Sequence, residues 1–160
     1  MLTCTFEDGA SNNFRHAVTG ALVIDQGKIL LVRRAAHLHT CPNKWGIPGG
    51  YVDLHERITA AALREIFEET GYQAQIDQLF LVNDRPHRKQ EDRENVEFTY
   101  LVHPLKQVGQ PDQETAAIHW FPLGALPPAN DFAFDHLEEI KRYREYLRHP
   151  VPLPILNFDY

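Results

Sequence analysis

Residues 50–72 read GYVDLHERITAAALREIFEETGY. Their spacing is G-x5-E-x7-R-E-I-x-E-E-x-G-Y, with Gly50, Glu56, Arg64, Glu65, Ile66, Glu68, Glu69, Gly71 and Tyr72 at the fixed places. Residues 58–70 are mostly good helix formers, and Gly71 stands where a left-handed cap would end a helix. At about 100° per residue, Glu65, Glu68 and Glu69 share one helical face. Ala62, Leu63, Ile66 and Phe67 cover a different face, which is expected to pack on a sheet.

The glutamate face is poorly placed for stability. Glu68 and Glu69 fall in the last turn, where the helix dipole favours cations, and like charges three or four residues apart repel. Three hard oxygen donors on one rigid face suit Mg²⁺, Mn²⁺ or Ca²⁺. The plainer reading is a solvated acidic face in which Arg64 and Glu68 form an ordinary i, i+4 pair.

The rest of the chain narrows the class. At 160 residues it has the length of one domain, residues 1–160, able to bury about two thirds of its unfolded surface. A composition 43% hydrophobic and 24% charged is that of a soluble globular protein. The net charge of −6 supplies no basic field for long nucleic acid, so an anionic nucleotide has to be attracted locally. No apolar run is long enough for a membrane span and no leader pattern is visible, which leads to the expectation of a cytoplasmic protein. Cys4 and Cys41 are too few for a disulfide framework or a paired zinc motif. The nine histidines are read as surface or packing residues, with His37 and His39 the pair to watch.

Working outward, residues 1–14 read as a loose lead-in, and 16–24 and 28–34 as strands joined by a hairpin at 25–27. A polar loop at 35–43 leads through Trp45 to the Gly49-Gly50 pair, where glycine permits a tight turn or a close approach to a ligand. After the helix come strands at 72–84, 96–102 and 117–121, a charged loop at 85–94 and a polar loop at 106–114. A short helical turn is expected at 123–126. Residues 136–148 carry Leu137, Ile140, Tyr143 and Leu147 as the apolar stripe of a second helix. The segment 150–160, with Pro150, Pro152 and Pro154, is expected to be an extended tail covering the body or a second subunit, which leaves a homodimer open.

The complete spacing of residues 50–72 resembles the signature of the Nudix hydrolases. One departure is His55, where relatives often have glycine; it is expected to alter the loop and leave the chemistry alone. The resemblance implies an α/β fold, an α/β/α sandwich with a mixed sheet. It implies that Glu65, Glu68 and Glu69, with the carbonyl of Gly49, hold divalent metal, Mg²⁺ or Mn²⁺, and that Glu56 and Arg64 pair to orient that set. Bound metal would bridge pyrophosphate oxygens and activate a water for attack at phosphorus. Glu65 is the first choice for orienting or deprotonating the water, and Glu114, six residues before Trp120 in a loop where relatives place a further ligand or base, is the second.

The substrate is less sharply written. The family cleaves a nucleoside diphosphate linked to another group. Arg33, Arg34, Arg85, Arg88 and Lys89 could clamp phosphates, and Trp45 could stack a base or fill the core. Relatives acting on ADP-ribose often carry a proline slightly further past the signature than Pro86 stands. The complete glutamate set argues against the branch that displaces a sugar at carbon. These points lean toward ADP-ribose or a nucleotide sugar, with a sanitising hydrolase of oxidised nucleoside triphosphates as the alternative. A regulator that binds nucleotide without turnover is the third reading, and relatives of that kind usually lose signature glutamates, which this chain retains.

Overall fold

The structure, a computed structural model, describes residues 2–88, 90 and 93–156. In chain order the elements are β1 (Leu2–Thr5), β2 (Ser11–Phe14), β3 (His16–Asp25), β4 (Lys28–Arg34), β5 (Trp45–Gly46), β6 (Gly49–Tyr51), α1 (Ile58–Thr70), β7 (Tyr72–Asn83), β8 (Asn95–Gln107), β9 (Thr115–Pro122) and α2 (His136–Arg148). A 3-10 turn at Ala129–Asp131 precedes α2.

β3 organises the main sheet. On one edge it runs parallel to β8 from His16↔Asn95 to Val23↔Val102, and β7 continues the sheet antiparallel to β8. On the other edge it is shared: the end of β3 meets β4 at Ile24↔Ile29, whereas its first half meets β6 from Val18↔Tyr51 to Gly20↔Gly49. β4 goes on to pair with β5 and β9. The sheet therefore forks at Gly20–Ala21, where Ala21 N–H donates to the Pro48 carbonyl (2.9 Å), and a cleft opens in the fork.

The strands alternate, so each face has its own core. Ala21, Val23, Leu30, Tyr100 and Val102 meet Ala62 and Ile66 of α1; Leu22, Ile29, Leu31, Phe80 and Leu81 meet Ile140 and Tyr143 of α2. A helix on either side of a mixed sheet is the α/β/α sandwich expected, and α1 and α2 both keep their expected bounds. A fully buried Ile66 contributes about 2–3 kcal/mol through removal of its side chain from water.

Several details differ from expectation. The supposed lead-in is an antiparallel hairpin, β1 with β2, registered from Leu2↔Phe14 to Thr5↔Ser11, with Phe6 and Phe14 in edge contact at 6.0 Å. Its strands are polar and largely exposed, so they show no hydrophobic alternation. β8 runs on to Gln107, into the segment read as loop. Around residue 124 the chain makes only a turn, closed by Ala125 N–H to the Pro122 carbonyl, and the helical turn lies later at Ala129–Asp131. In α1 the inward stripe is Ala61, Ala62, Ile66, Glu69 and Thr70, leaving Leu63 and Phe67 exposed at 37% and 45%. The small alanines let α1 approach the sheet closely, which rotates the bulkier pair outward. In α2, Leu147 is exposed, and Tyr146 contacts Phe80 instead (5.7 Å).

The tail covers the chain's own body. Ile155 N–H donates to the Phe80 carbonyl (2.8 Å), its carbonyl accepts from Val82 N–H (3.0 Å), and Leu153 and Ile155 pack on the α2-side core. Residues 157–160 of the predicted tail lie outside the described residues.

His55 sits at φ 67°, in the left-handed region where relatives' glycine carries no steric cost. Replacement of His55 by glycine is therefore expected to raise stability by about 0.5–1 kcal/mol with turnover unchanged. Urea unfolding midpoints of the two proteins check this, and an equal or lower midpoint for H55G would show that the loop is unstrained.

Candidate functional site

α1 begins without a side-chain cap at Arg57 and ends on Gly71 at φ 71°, with no basic residue in its last turn to balance the dipole. What balances the glutamates is Arg64. Its Nε and Nη2 donate to the two oxygens of Glu56 (3.0 Å each), Nη1 donates to Glu65 Oε1 (2.7 Å) and Glu68 Oε2 (2.9 Å), and Nη2 also reaches the Tyr51 carbonyl (3.0 Å). The bidentate Arg64 fork, with help from Asp53 N–H, holds the Glu56 carboxyl below the usual carboxylate range.

Glu69 faces inward. It is 9% exposed and accepts from Gly49 N–H (2.9 Å), so the glycine turn and the helix meet at this carboxylate. Burial pushes its pKa up to about 8, with Glu65 and Asp112 adding to the shift and the Gly49 hydrogen bond and Arg34 opposing it. Glu65 is also raised, first by burial, with Arg64 opposing and the charges of Glu68 and Glu114 adding. The site thus concentrates negative charge that its neighbours only partly offset. Glu65, Glu68 and Glu69 within about one turn of α1, beside a glycine turn with backbone oxygens, make a hard-oxygen donor set that fits a divalent cation.

The remaining expected residues separate clearly. Glu114 is exposed, yet its charge acts on Glu65, and its carbonyl accepts from Ala35 N–H (2.8 Å). Asp112, which the sequence reading passed over, sits beside it, its N–H donating to the Glu68 carbonyl (2.8 Å). Arg33 and Arg34 alternate on β4: Arg34 lines the cleft, whereas Arg33 is exposed and lies over Trp45 at 6.0 Å. Trp45 packs in the core against Phe121 (5.1 Å), which favours packing over base stacking. Arg88 lines the cleft and is buried; Arg85 does not line it, and its carbonyl accepts from Arg15 (3.1 Å). Lys89 lies outside the described residues. His37 and His39 are exposed on their loop.

The cleft has a volume of about 210 Å³ and runs from Gly49, Gly50 and Glu69 to Arg88, Glu97 and His136. Its far end was not foreseen. Glu97, Asp135 and Glu139 are all buried with carboxylate oxygens within 4.8 Å of one another, a convergence that the signature glutamates do not match among the described residues. The spacing could hold a cation, but a cation is already there: Arg88 Nη1 donates to Glu97 Oε2 (2.6 Å) and Arg88 Nε lies 3.7 Å from Asp135 Oδ2. Asn83 also donates to Asp135 Oδ2 (3.0 Å), and Thr99 Oγ1 to Glu139 Oε2 (2.8 Å). The signature acids have glycine backbone beside them, whereas the second cluster is a charged network around Arg88. His136 Nδ1 accepts from Ile47 N–H (3.2 Å), and burial keeps its pKa below the usual histidine value. It is a wall of the cleft, beyond the packing role expected of the histidines.

Glu139 carries a prediction. Its carboxyl is held well above the usual carboxylate range, first by burial and then by Glu97 and Asp135. With the folded value raised, the stability contributed by protonated Glu139 is fully present below pH about 4.3 and is lost as pH rises toward the folded value. Glu139→Gln keeps the shape and cannot ionise. Its stability relative to the wild type is expected to rise as pH is raised above about 4.3 in urea titrations; a difference that does not change with pH would mean that ionisation of Glu139 is not the cost.

Among the described residues, no helix is long and apolar enough to cross a membrane. The chain matches the NUDIX domain family over residues 14–143. It is 30% identical to the human 8-oxo-dGDP phosphatase NUDT18 over 148 residues, covering 89% of this chain and 43% of that protein. Over 111 residues it is 38% identical to a Bacillus subtilis protein provisionally named an 8-oxo-dGTP diphosphatase, covering 68% of each. Among solved structures, a NUDIX hydrolase from Nitrosomonas europaea superposes with a TM-score of 0.78 at 25% identity, covering 92% of this chain and 81% of that one. The chain spans less than half the length of the human relative. With the signature intact on α1, the sandwich around it and a match over most of its length, the chain belongs to the NUDIX domain family.

Proposed function

We propose that this chain is a pyrophosphohydrolase that uses a divalent cation, Mg²⁺ or Mn²⁺, to cleave a phosphoanhydride bond of a nucleotide by attack of water at phosphorus. The observation that carries the reading is the junction of α1 with the glycine turn: Glu69 is tied to Gly49 N–H (2.9 Å) at the mouth of a cleft large enough for part of a nucleotide. Glu65, Glu68, Glu69 and the Gly49 carbonyl hold the cation, and Glu56 with Arg64 fixes the glutamates in place. The bound cation offsets pyrophosphate charge and lowers the pKa of a water. Glu65 orients or deprotonates that water, with Glu114 the alternative. Arg34, on the cleft wall, offers its guanidinium to phosphate oxygens.

Two substrate classes compete. ADP-ribose or a nucleotide sugar would yield a nucleoside monophosphate and a sugar phosphate. An oxidised nucleoside di- or triphosphate would yield a monophosphate and inorganic phosphate or pyrophosphate. The second is favoured by the names of the human and Bacillus subtilis relatives described above and by the buried polar end of the cleft, which suits a base better than a sugar phosphate. A test is Mg²⁺-dependent hydrolysis of ADP-ribose, GDP-mannose, UDP-glucose, dNTPs, 8-oxo-dGTP and 8-oxo-dGDP with products identified. Inorganic phosphate or pyrophosphate from the oxidised nucleotides supports the favoured class. A sugar phosphate moves the chain to the other. No turnover with tight nucleotide binding would replace both by a regulatory role.

A further inference from the structure

We propose that Asp112 is a positioning residue: through one backbone and one side-chain hydrogen bond it ties the loop between β8 and β9 to the end of α1 and so fixes Glu114 at the signature face. The proposal rests on the reading that this face is the reaction site, and it adds what holds the second candidate base there.

The last carbonyls of a helix have no partner within it. At the end of α1 the segment 107–112 supplies partners. Asp112 N–H donates to the Glu68 carbonyl (2.8 Å), the Gln107 side-chain amide to the Thr70 carbonyl (3.2 Å), and Val108 and Gly109 N–H to the Gly71 carbonyl (2.9 and 3.1 Å). Gly71 and Gly109 approach so closely that a Cβ on Gly71 would overlap the Gly109 carbonyl. The loop is therefore docked on the helix that carries Glu65, Glu68 and Glu69, and Asp112 makes the last of these contacts.

From there Asp112 reaches forward. Its Oδ1 accepts from Glu114 N–H (3.0 Å), and its carbonyl accepts from Thr115 N–H (3.4 Å), where β9 begins. The Glu114 carbonyl is taken by Ala35 N–H (2.8 Å), next to Arg34 of the cleft wall. Both backbone polar groups of Glu114 are thus held, one by the Asp112 carboxylate and the other by the residue after β4, while its side chain stays exposed.

An aspartate that accepts from the backbone two residues on is common turn chemistry, and asparagine makes the same turn. The charge of Asp112 is badly placed for stability. It stands at the negative end of α1, and it adds to the upward push on the Glu69 carboxyl, as the charge of Glu114 does on Glu65. What the charge contributes is a firmer hold on the Glu114 amide, since a carboxylate accepts a stronger hydrogen bond than an amide oxygen does.

The experiment compares wild-type protein with Asp112→Ala, Asp112→Asn, Glu114→Gln and the double variant D112A/E114Q. Turnover is measured with Mg²⁺ on the nucleotide of the panel above that wild-type protein hydrolyses fastest, and amide exchange on metal-free protein without nucleotide. D112A is expected to lower kcat roughly 10- to 100-fold with KM within about three-fold, because Glu114 is displaced and not removed. D112N keeps an acceptor at the same place and is expected to recover turnover to within about three-fold of wild type. The double variant is expected to match E114Q within about two-fold, since both changes act through one carboxylate. The Glu114 amide is expected to exchange about 10-fold more slowly in wild type than in D112A. D112N as slow as D112A, losses that multiply in the double variant, or full turnover by E114Q overturns the proposal, the last leaving Glu65 as the base. An unprotected Glu114 amide in wild type overturns it with no variant at all, so a poorly folding D112A does not rescue it. Protection of that amide in a protein that hydrolyses nothing would retain the tie and remove the enzymatic reading. Turnover with a freely exchanging Glu114 amide would do the reverse.

Discussion

Glu68→Gln is expected to lower kcat for phosphoanhydride hydrolysis by roughly 10²- to 10³-fold at saturating Mg²⁺, while the unfolding free energy moves by less than about 1 kcal/mol. The two halves of the expectation have different causes. The Glu68 side chain is 46% exposed, and its ion pair is with Arg64, which keeps Glu56 and Glu65 as partners when Glu68 is neutralised. Exposed pairs of this kind contribute little to stability. A cation ligand is another matter, because an amide oxygen carries no net charge to offset the metal and pyrophosphate chemistry beside it. Turnover within a few-fold of wild type, measured with Mg²⁺ titrated to saturation, would remove Glu68 from the cation site.

Arg64 sharpens this contrast. Without a cation it is the main positive charge among Glu56, Glu65 and Glu68, and it grips all three. An isolated acidic face would be tolerated if such a clamp were its purpose. Glu69, however, lies on the inward side of the helix beyond the hydrogen bonds of Arg64, and among the described residues its hydrogen bond is from one backbone N–H. The burial that pushes its pKa to about 8 is a cost to stability at neutral pH, and it is the kind of cost that functional sites carry.

Much of this was legible in residues 50–72, because helix formers, the Gly71 cap and the glutamate spacing all act locally. The strands at 16–24 and 28–34 were legible for a similar reason, each being an apolar run beside an Asp-Gln-Gly turn. The β1–β2 hairpin was not, since Leu2–Thr5 and Ser11–Phe14 have no buried face to impose a period. Leu63 and Phe67 misled through hydrophobicity alone; small residues at Ala61 and Ala62 decided which side of α1 could reach the sheet. The network behind the inner end of the cleft was hidden because it is assembled by packing: Arg88 comes from a loop, Glu97 from β8, and Asp135 and Glu139 from the start of α2. A signal was present in the strand, where Val96, Phe98, Tyr100 and Val102 alternate with Glu97 and Thr99. The opposite face of such a strand is buried too when helices cover both sides of a sheet, so its glutamate had to be either paired or functional. Likewise Glu139 falls on the same side of α2 as Ile140 and Tyr143, a position that an uncompensated acid does not hold cheaply.

The paired substitutions Gly50→Ala and Gly49→Ala are expected to separate chemistry from folding in adjacent residues. A Cβ on Gly50 would stand 2.5 Å from Glu65 Oε1, 2.6 Å from Cδ and 2.8 Å from Oε2. Those atoms are the end of a flexible side chain, so the carboxylate can swing away and the fold survives with a stability change of about 1 kcal/mol or less. Displacement of a reacting group by about 1 Å costs on the order of 10²-fold in rate, and G50A is expected to lose turnover on that scale. A Cβ on Gly49 meets backbone: it would overlap the Thr19 carbonyl oxygen and lie 2.9 Å from Gly20 Cα and 3.0 Å from the Thr19 carbonyl carbon. Relief there requires β6 to part from β3, so G49A is expected to lose about 2–3 kcal/mol of stability as well as activity. Urea midpoints and steady-state rates on the same preparations read both effects. Full turnover by G50A would mean that the Glu65 carboxylate does its work elsewhere than against this glycine. An unchanged midpoint for G49A would mean that the close approach of β6 to Thr19, which brings the Gly49 amide to Glu69, is not what holds the glycine turn on the helix.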